Sequence, residues 1–236
     1  MVSKIKRLDF AHIDCKASIL VKDMSEQENI TIGCFAYYLE YNGEKIMIDS
    51  GIENIATVNK TKSSKDDWKR SVCEYNICDN LSEIGIDPLE IDKVFLTHSH
   101  YDHISGICHF ENAQIYMTKN EFEYLNLDIN PHKKYLLDVI EFLKKKKNQG
   151  KLILVDDNYN TGNIRCVKTG GHTPGSMIIY IDDYLFTGDC VFLLDNIFKK
   201  RPIGFSNEPE NAMNALKLCC EHKGTILTGH DFKCVV

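Results

Sequence analysis

Leu96-Thr97-His98-Ser99-His100-Tyr101-Asp102-His103 is the stretch around which the rest of the chain can be read. Three imidazoles and one carboxylate fall within the six residues from His98 to His103. Neutral imidazole nitrogen and carboxylate oxygen together suit a borderline cation such as zinc. The apolar run Val94-Phe95-Leu96 precedes the cluster and Ile104-Ser105-Gly106 follows it. That order predicts a strand, then a loop that opens into a helix, so a rigid element delivers the ligands to the edge of a core.

Four more places share this shape, each with a polar residue at a predicted strand exit beside glycine. They are Asp49 in Ile48-Asp49-Ser50-Gly51, His172 in Gly170-Gly171-His172-Thr173-Pro174-Gly175, Asp189 in Thr187-Gly188-Asp189, and His230 in Thr228-Gly229-His230-Asp231. Glycine lets the backbone turn sharply or approach a site closely. Strand exits along one sheet edge converge in layered α/β folds. The five places are therefore expected to line one pocket.

Between them the chain alternates strand and helix signals. Strands are predicted at 33–40 and 45–49, joined by the hairpin signal Asn42-Gly43. Further strands are predicted at 93–96, 114–117, 152–155, 164–168, 177–181, 184–187 and 225–228, with Asp182-Asp183 turning the last hairpin. Apolar spacing predicts helices at 73–84 (ended by Gly85), 119–125, 133–147 and 207–221. Lys144 to Lys147 would sit at a helix C-terminus, where cations oppose the dipole. Segments 52–72 and 192–206 are lid candidates, because both are long and follow strand exits. The pattern has two loosely similar parts, before and after about residue 150, with no short-period repeat or low-complexity linker. It predicts one α/β domain spanning residues 1–236.

Composition excludes several classes. The apolar fraction of 43% and charged fraction of 26% are ordinary for a globular chain. A net charge of −6 argues against a nucleic-acid surface and leaves a small molecule as the expected partner. No apolar run approaches the roughly 20 residues of a membrane span, so no membrane partner is expected. The start, Met1 to Lys6, is basic but lacks the apolar core of a secretion signal. Ten cysteines are scattered without a Cys-x-x-Cys pair, which fits reduced core thiols in a cytoplasmic protein. Cys190, beside Asp189, has a metal or substrate contact as its alternative to packing. The oligomeric state is left open.

His98-x-His100-x-Asp102-His103, followed in order by His172, Asp189 and His230, resembles the metallo-β-lactamase-fold hydrolases. The resemblance runs from Asp49 to Asp231. It is strongest to the N-acyl homoserine lactonases and next to the glyoxalase II type, on chain size, Gly171-His172-Thr173-Pro174-Gly175, and Gly229-His230-Asp231 near the C-terminus. It implies an α/β, four-layer αββα sandwich of two similar halves, and two metal ions, zinc with iron or manganese as alternatives. His98, His100 and His172 would hold one ion and Asp102, His103 and His230 the other, with Asp189 bridging. Asp49 resembles an aspartate that hydrogen-bonds within the metal loop, orienting a ligand. His12, His109, His132 and His222 match nothing in the pattern.

The chemistry implied is attack by a metal-bridging hydroxide on a small ester-like substrate, a lactone, thioester or relative. Asp102 and Asp189 are the carboxylates assigned to catalysis, Asp189 orienting the attacking proton. Lactonases of this type carry a tyrosine three residues beyond the bridging aspartate, and Phe192 stands there instead. Phe192 cannot donate a hydrogen bond, and Tyr101 is the candidate replacement donor. The glyoxalase type adds a basic C-terminal helical region, for which Lys199-Lys200-Arg201 is the candidate substitute beside a plain solvated loop. Phe192, Phe198 and Phe205 would form an apolar pocket wall, or else pack in the core. The alternatives on the same fold are a mononuclear iron oxidoreductase of the persulfide dioxygenase type and a small-phosphodiester hydrolase.

Overall fold

Strand alternation decides which side of each sheet a residue serves. In β2 (Asn29–Tyr41), Cys34, Ala36 and Tyr38 pack to one side while Phe35, Tyr37, Leu39 and Tyr41 pack to the other. Both faces are apolar, so the sheet must be covered twice. The computed structural model describes residues 1–53, 69–71, 75–130, 132–234 and 236, with backbone only at 69–71.

Two sheets result. The first holds β1 (Val2–Lys16), β2, β3 (Glu44–Ile48), β4 (Lys69–Ser71), β5 (Lys93–Phe95), β6 (Gln114–Thr118) and β7 (Leu152–Val155), in the order β4-β1-β2-β3-β5-β6-β7. The second holds β8 (Asn158–Thr161), β9 (Ile164–Lys168), β10 (Met177–Ile181), β11 (Tyr184–Phe186) and β12 (Thr225–Leu227), in the order β12-β11-β10-β9-β8. Phe35, Tyr37 and Leu39 meet Cys166, Met177, Ile179 and Phe186 between the sheets. Outside the first sheet lie α2 (Ile77–Glu83), α3 (Tyr101–Ile104), α4 (Lys119–Asn126) and α5 (Leu137–Asn148), contributing Leu81, Ile104, Leu125 and Leu143. Outside the second lies α7 (Pro209–Glu221), whose Ala215, Leu216 and Cys219 cover Ile178 and Leu185. The short helices α1 (Ala17–Leu20) and α6 (Leu194–Lys199) are tied together by Asn196, whose amide donates to Leu20 O at 3.0 Å. This is the four-layer αββα sandwich.

The elements expected from sequence are present with small shifts, and the departures have physical reasons. The long strand β1 gave no clean alternation because its pairing with β2 shifts register between Val2 and Lys4 and again between Asp9 and Ala11. The strand β8 is a polar edge strand, Asn158-Tyr159-Asn160-Thr161, with no buried stripe to betray it. The helix expected from residue 73 begins at Ile77, where Asn76 and Asp79 form a reciprocal capping box. The helix expected at 133–147 is a 3-10 turn (Lys133–Tyr135) followed by α5. Most of the 52–72 lid candidate lies outside the described residues. The 192–206 candidate is tied down instead: buried Asn196 donates to the carbonyls of Leu20 and Arg201 and accepts from the Leu193 N–H.

Topology brings the predicted stretches together. β3, β5, β6 and β7 run parallel, so their C-terminal ends share one edge. β11 and β12 are parallel likewise. The sheets are stitched at that edge by Met177 N–H to Thr97 O (2.9 Å), Phe35 N–H to Gly229 O (3.0 Å) and Gly33 N–H to His230 O (3.0 Å). No helix among the described residues is long and apolar enough to cross a membrane.

Candidate metal centre

All seven candidate ligands and Asp49 converge at the stitched edge, and all are buried. His98 and His100 sit in the loop after β5, and α3 carries Asp102 and His103. His172 comes from the β9–β10 loop, Asp189 from the exit of β11 and His230 from the exit of β12. Gly175 lets the His172 loop lie against α4: a Cβ there would stand 2.1 Å from the Glu121 backbone nitrogen.

Hydrogen bonds fix the direction of most rings. His103 Nδ1 lies 2.8 Å from Asp49 Oδ2, His172 Nδ1 3.2 Å from Phe205 O, and His230 Nδ1 2.5 Å from Gly33 O. Each of these acceptors takes the Nδ1 ring N–H, which turns Nε2 inward, where it meets a proton or a cation. His98 is set by a relay. Its Nδ1 lies 3.1 Å from Thr97 Oγ1, which donates to Asp49 Oδ2 at 2.8 Å, while Thr97 N–H donates to Asp49 Oδ1 at 2.7 Å. Asp49 therefore orients two imidazoles, and it does so from a left-handed backbone, φ 59°.

The inward atoms fall into two sets that meet at Asp189. Asp189 Oδ2 lies 3.4 Å from His98 Nε2 and 3.1 Å from His172 Nε2, and His172 Nε2 lies 2.7 Å from His100 Nδ1. Asp189 Oδ1 lies 2.9 Å from His230 Nε2 and 3.1 Å from His103 Nε2, and those two nitrogens are 3.3 Å apart. Asp102 Oδ2 stands 3.8 Å from His230 Nε2 and 3.9 Å from His103 Nε2. Lone pairs aimed at one another across such gaps repel unless a proton or a cation lies between. His98 Nε2 and Asp189 Oδ1 are buried without any hydrogen bond, a costly state that a bound cation would relieve. The donor set, imidazole nitrogen and carboxylate oxygen, fits divalent zinc or its neighbours.

Electrostatics separates the two sets. Burial pushes the His98 imidazolium down, helped by His103, and pushes His100 well down, helped by His132 and His172. Burial acts the same way on His103 and His230, but Asp189 outweighs it, with Asp49 adding at His103, and holds both well above the ordinary histidine range. Asp189 itself is raised by burial and more strongly lowered by His230, His103, His98 and His172, ending well below the usual carboxylate range.

Two residues that the sequence reading left out belong here. Glu121, fully buried, accepts from Ser99 N–H and Oγ through Oε1 and from Thr173 Oγ1 and Gly175 N–H through Oε2. It thereby clamps the His98–His100 loop to the His172 loop. Its signal was Thr118-x-x-Glu121, which reads as a surface capping box, yet the glutamate turns inward. His132, set aside as matching nothing, stacks on His100 with centroids 4.4 Å apart and its Nδ1 accepts from Tyr101 N–H at 3.3 Å. Nothing in its local sequence marks it. The other three histidines stay outside: His12 meets Phe232, His109 meets Cys78 and Glu53, and His222 meets Asp183.

The aromatic wall is partly as expected. The Phe192 ring lies 5.3 Å from His172 and 5.4 Å from His230, and Phe205 lies 5.5 Å from His172. Phe198 is 74% exposed on the outer surface and is no part of it. The buried Tyr101 hydroxyl donates to the Glu53 carbonyl. Cys190 packs with Ile178 and Leu185, its Sγ 3.0 Å from Thr169 Oγ1, and burial pushes its thiol up to about 12. It is a packing residue.

The profile of the Metallo-beta-lactamase superfamily matches residues 30–222. The chain belongs to the metallo-beta-lactamase superfamily. The match ends before His230, which the folded geometry brings into the cluster. A probable metallo-hydrolase of Methanocaldococcus jannaschii is 31% identical over 158 residues, 67% of this chain and 66% of that protein, so the match spans just under two thirds of the relative. An N-acyl homoserine lactonase of Bacillus thuringiensis is 26% identical over 227 residues, covering 87% of this chain and 83% of that one. A solved N-acyl homoserine lactone hydrolase, with N-hexanoyl-L-homoserine at its catalytic metal centre, superposes with a TM-score of 0.83 at 20% identity, over 99% of this chain and 95% of that one. At that identity the likeness speaks for the fold.

Proposed function

We propose that the protein is a dinuclear zinc-dependent hydrolase of a small ester-like substrate, a lactone or thioester. His98, His100 and His172 would hold one ion, Asp102, His103 and His230 the other, with Asp189 between them. One observation carries the reading: the two oxygens of Asp189 divide between two sets of inward-facing imidazoles. Relatives named as metallo-hydrolase and lactonase support the reaction class. The scattered thiols and the negative charge suit a cytoplasmic enzyme of small molecules.

Two ions bound there supply Lewis acidity at a carbonyl oxygen and lower the pKa of water, so hydroxide is available near neutral pH. The chain supplies the rest. Asp49, Thr97, Gly33 and Phe205 hold the imidazoles in the tautomers that face the centre. Asp189, held as a carboxylate, can accept a hydrogen bond from an attacking O–H. Phe192 and Phe205 put apolar surface beside His172, which excludes water from one flank. No serine or cysteine nucleophile is needed, and Cys190 is held as a thiol.

A mononuclear iron reading would leave Asp102, His103 and His230 as a buried, convergent set with no task. The deciding experiment is metal analysis of native protein joined to a panel of lactones, S-acyl glutathiones, persulfides and phosphodiesters. About two zinc ions per chain with lactone or thioester turnover is the expected result. One iron with persulfide oxidation, or turnover of phosphodiesters alone, would replace the reading.

A further inference from the structure

Four of the five candidate ligand imidazoles are held from outside by a hydrogen bond at the ring nitrogen turned away from the centre. Thr97 holds His98, Asp49 holds His103, the Phe205 carbonyl holds His172 and the Gly33 carbonyl holds His230. His100 is the exception. It presents Nδ1 to the centre, 2.7 Å from His172 Nε2, and its Nε2 has no hydrogen bond among the described residues. What lies against the His100 ring instead is another imidazole. His132 stacks on its face, with centroids 4.4 Å apart and planes 28° apart. His98 and His172 meet the ring edge-on at 4.8 and 4.5 Å, but they are candidate ligands of the same ion, and Phe205 is farther away at 6.4 Å. His132 is fixed in turn. Its N–H donates to Oδ1 of buried Asn130 at 2.9 Å, and its carbonyl accepts from Tyr135 N–H at 2.9 Å, closing the 3-10 turn Lys133–Tyr135. Its Nδ1 accepts from Tyr101 N–H at 3.3 Å, and the Tyr135 ring meets the Tyr101 ring edge-on at 6.0 Å. The turn therefore grips the His100–Tyr101 segment of the metal loop by ring face, by backbone and by a second aromatic contact.

Resting on the dinuclear reading above, we propose that His132 is a positioning residue for the ion held by His98, His100 and His172. It sets the His100 ring by stacking, where the other ligand rings are set by hydrogen bonds. Outer partners of a metal ligand fix its orientation and so its affinity for the ion. A flat neighbour at stacking distance does this by packing: turning the His100 ring about its Cβ–Cγ bond would drive its edge into the His132 face. The Tyr101 N–H bond holds the adjoining backbone, so ring and backbone are restrained by the same side chain. The role is confined to the first half, because Asp49 and the Gly33 carbonyl brace the rings of the second.

The test is zinc titration of the metal-stripped full-length protein against a chromophoric chelator, comparing wild type with His132→Ala, His132→Phe and His132→Gln. In His132→Ala, affinity for the first-half ion should fall about 10-fold or more, with the other ion unchanged. Repeating the comparison in His230→Ala, which keeps the first half, and in His98→Ala, which keeps the second, assigns the fall: it should appear in the former and be absent from the latter. Phenylalanine keeps the flat face and should restore most of the affinity. Glutamine keeps an acceptor for Tyr101 N–H and should restore little. Unchanged affinity in folded His132→Ala, equal weakening of both ions, or rescue by glutamine rather than phenylalanine would each overturn the assignment. A single ion in wild type that His132→Ala still weakens would overturn the dinuclear reading and leave the assignment standing. One further measurement, on metal-free wild type, needs no variant to fold. Nuclear Overhauser contacts between the ring protons of His100 and His132 are expected, and their absence while those between His103 and His230 persist would contradict the proposal.

Discussion

The two halves of the centre share Asp189, and Asp49 reaches one imidazole of each, His98 through Thr97 and His103 directly, but they differ in their donors and their supports. The first half is all imidazole, is clamped from outside by Glu121, and has His98 and His100 held neutral by burial. The second half mixes carboxylate with imidazole, is braced by Asp49 and by the β2 backbone, and has His103 and His230 held toward the charged form by Asp189. The shared aspartate is what makes two unlike pockets one centre.

The largest expected effect follows from that sharing. Asp189→Ala should remove a donor from both halves, dropping metal content below one ion per chain and hydrolysis by more than the 10–100-fold typical of an outer partner. Metal analysis of the purified variant checks it, and full occupancy of Asp189→Ala, or of His98→Ala combined with it, would refute the shared role. Next in size, His98→Ala and His230→Ala should each lower the count from about two ions to about one, with the remaining ion in the opposite half. Loss of both ions from either single change would show that the halves are not separable.

Glu121→Gln should act on the first half alone. An amide cannot accept from all four donors that the carboxylate serves, and each N–H left unpaired costs about 1–3 kcal/mol. A fall in Tm of about 2–4 °C per kcal/mol is expected, with weaker binding of the first ion and little change at the second. Equal weakening of both ions would mean that the clamp holds the whole edge. A smaller change is expected from Phe192→Tyr, which places a hydroxyl beside His172 and His230. Lactone turnover should rise on the order of 10-fold, less than the roughly 100–1000-fold effect of one fully aligned oxyanion donor, and assay of the variant against the same panel checks it. The smallest effect should come from Cys190→Ala, with metal content unchanged because its thiol only packs.

Much of this was legible in the sequence because ligand loops of this kind are short and glycine-flanked. His98 to His103, His172, Asp189 and His230 each announced themselves at the end of an apolar run. The strands β5, β7 and β10 were equally plain, since their buried faces leave continuous apolar stretches, and β9 shows alternation from buried Ile164 to buried Cys166 across exposed Arg165. What was hidden was hidden for physical reasons. Glu121 sits in a first helical turn, where glutamate is commonplace, and only the approach of Gly175 shows that it faces inward. His132 reaches the centre through tertiary packing, with no local pattern to mark it. The bulged strand β1 loses its alternation to its own register shifts. Phe198 looked like a pocket wall by spacing alone, yet the turn of α6 sends it to solvent.

The measurement that bears most directly on the centre is the metal content of the native, full-length protein, determined together with metal identity. The account predicts about two ions per chain, zinc or a close relative, one for each set of donors around Asp189. A single iron per chain with no zinc, at full occupancy, would contradict it.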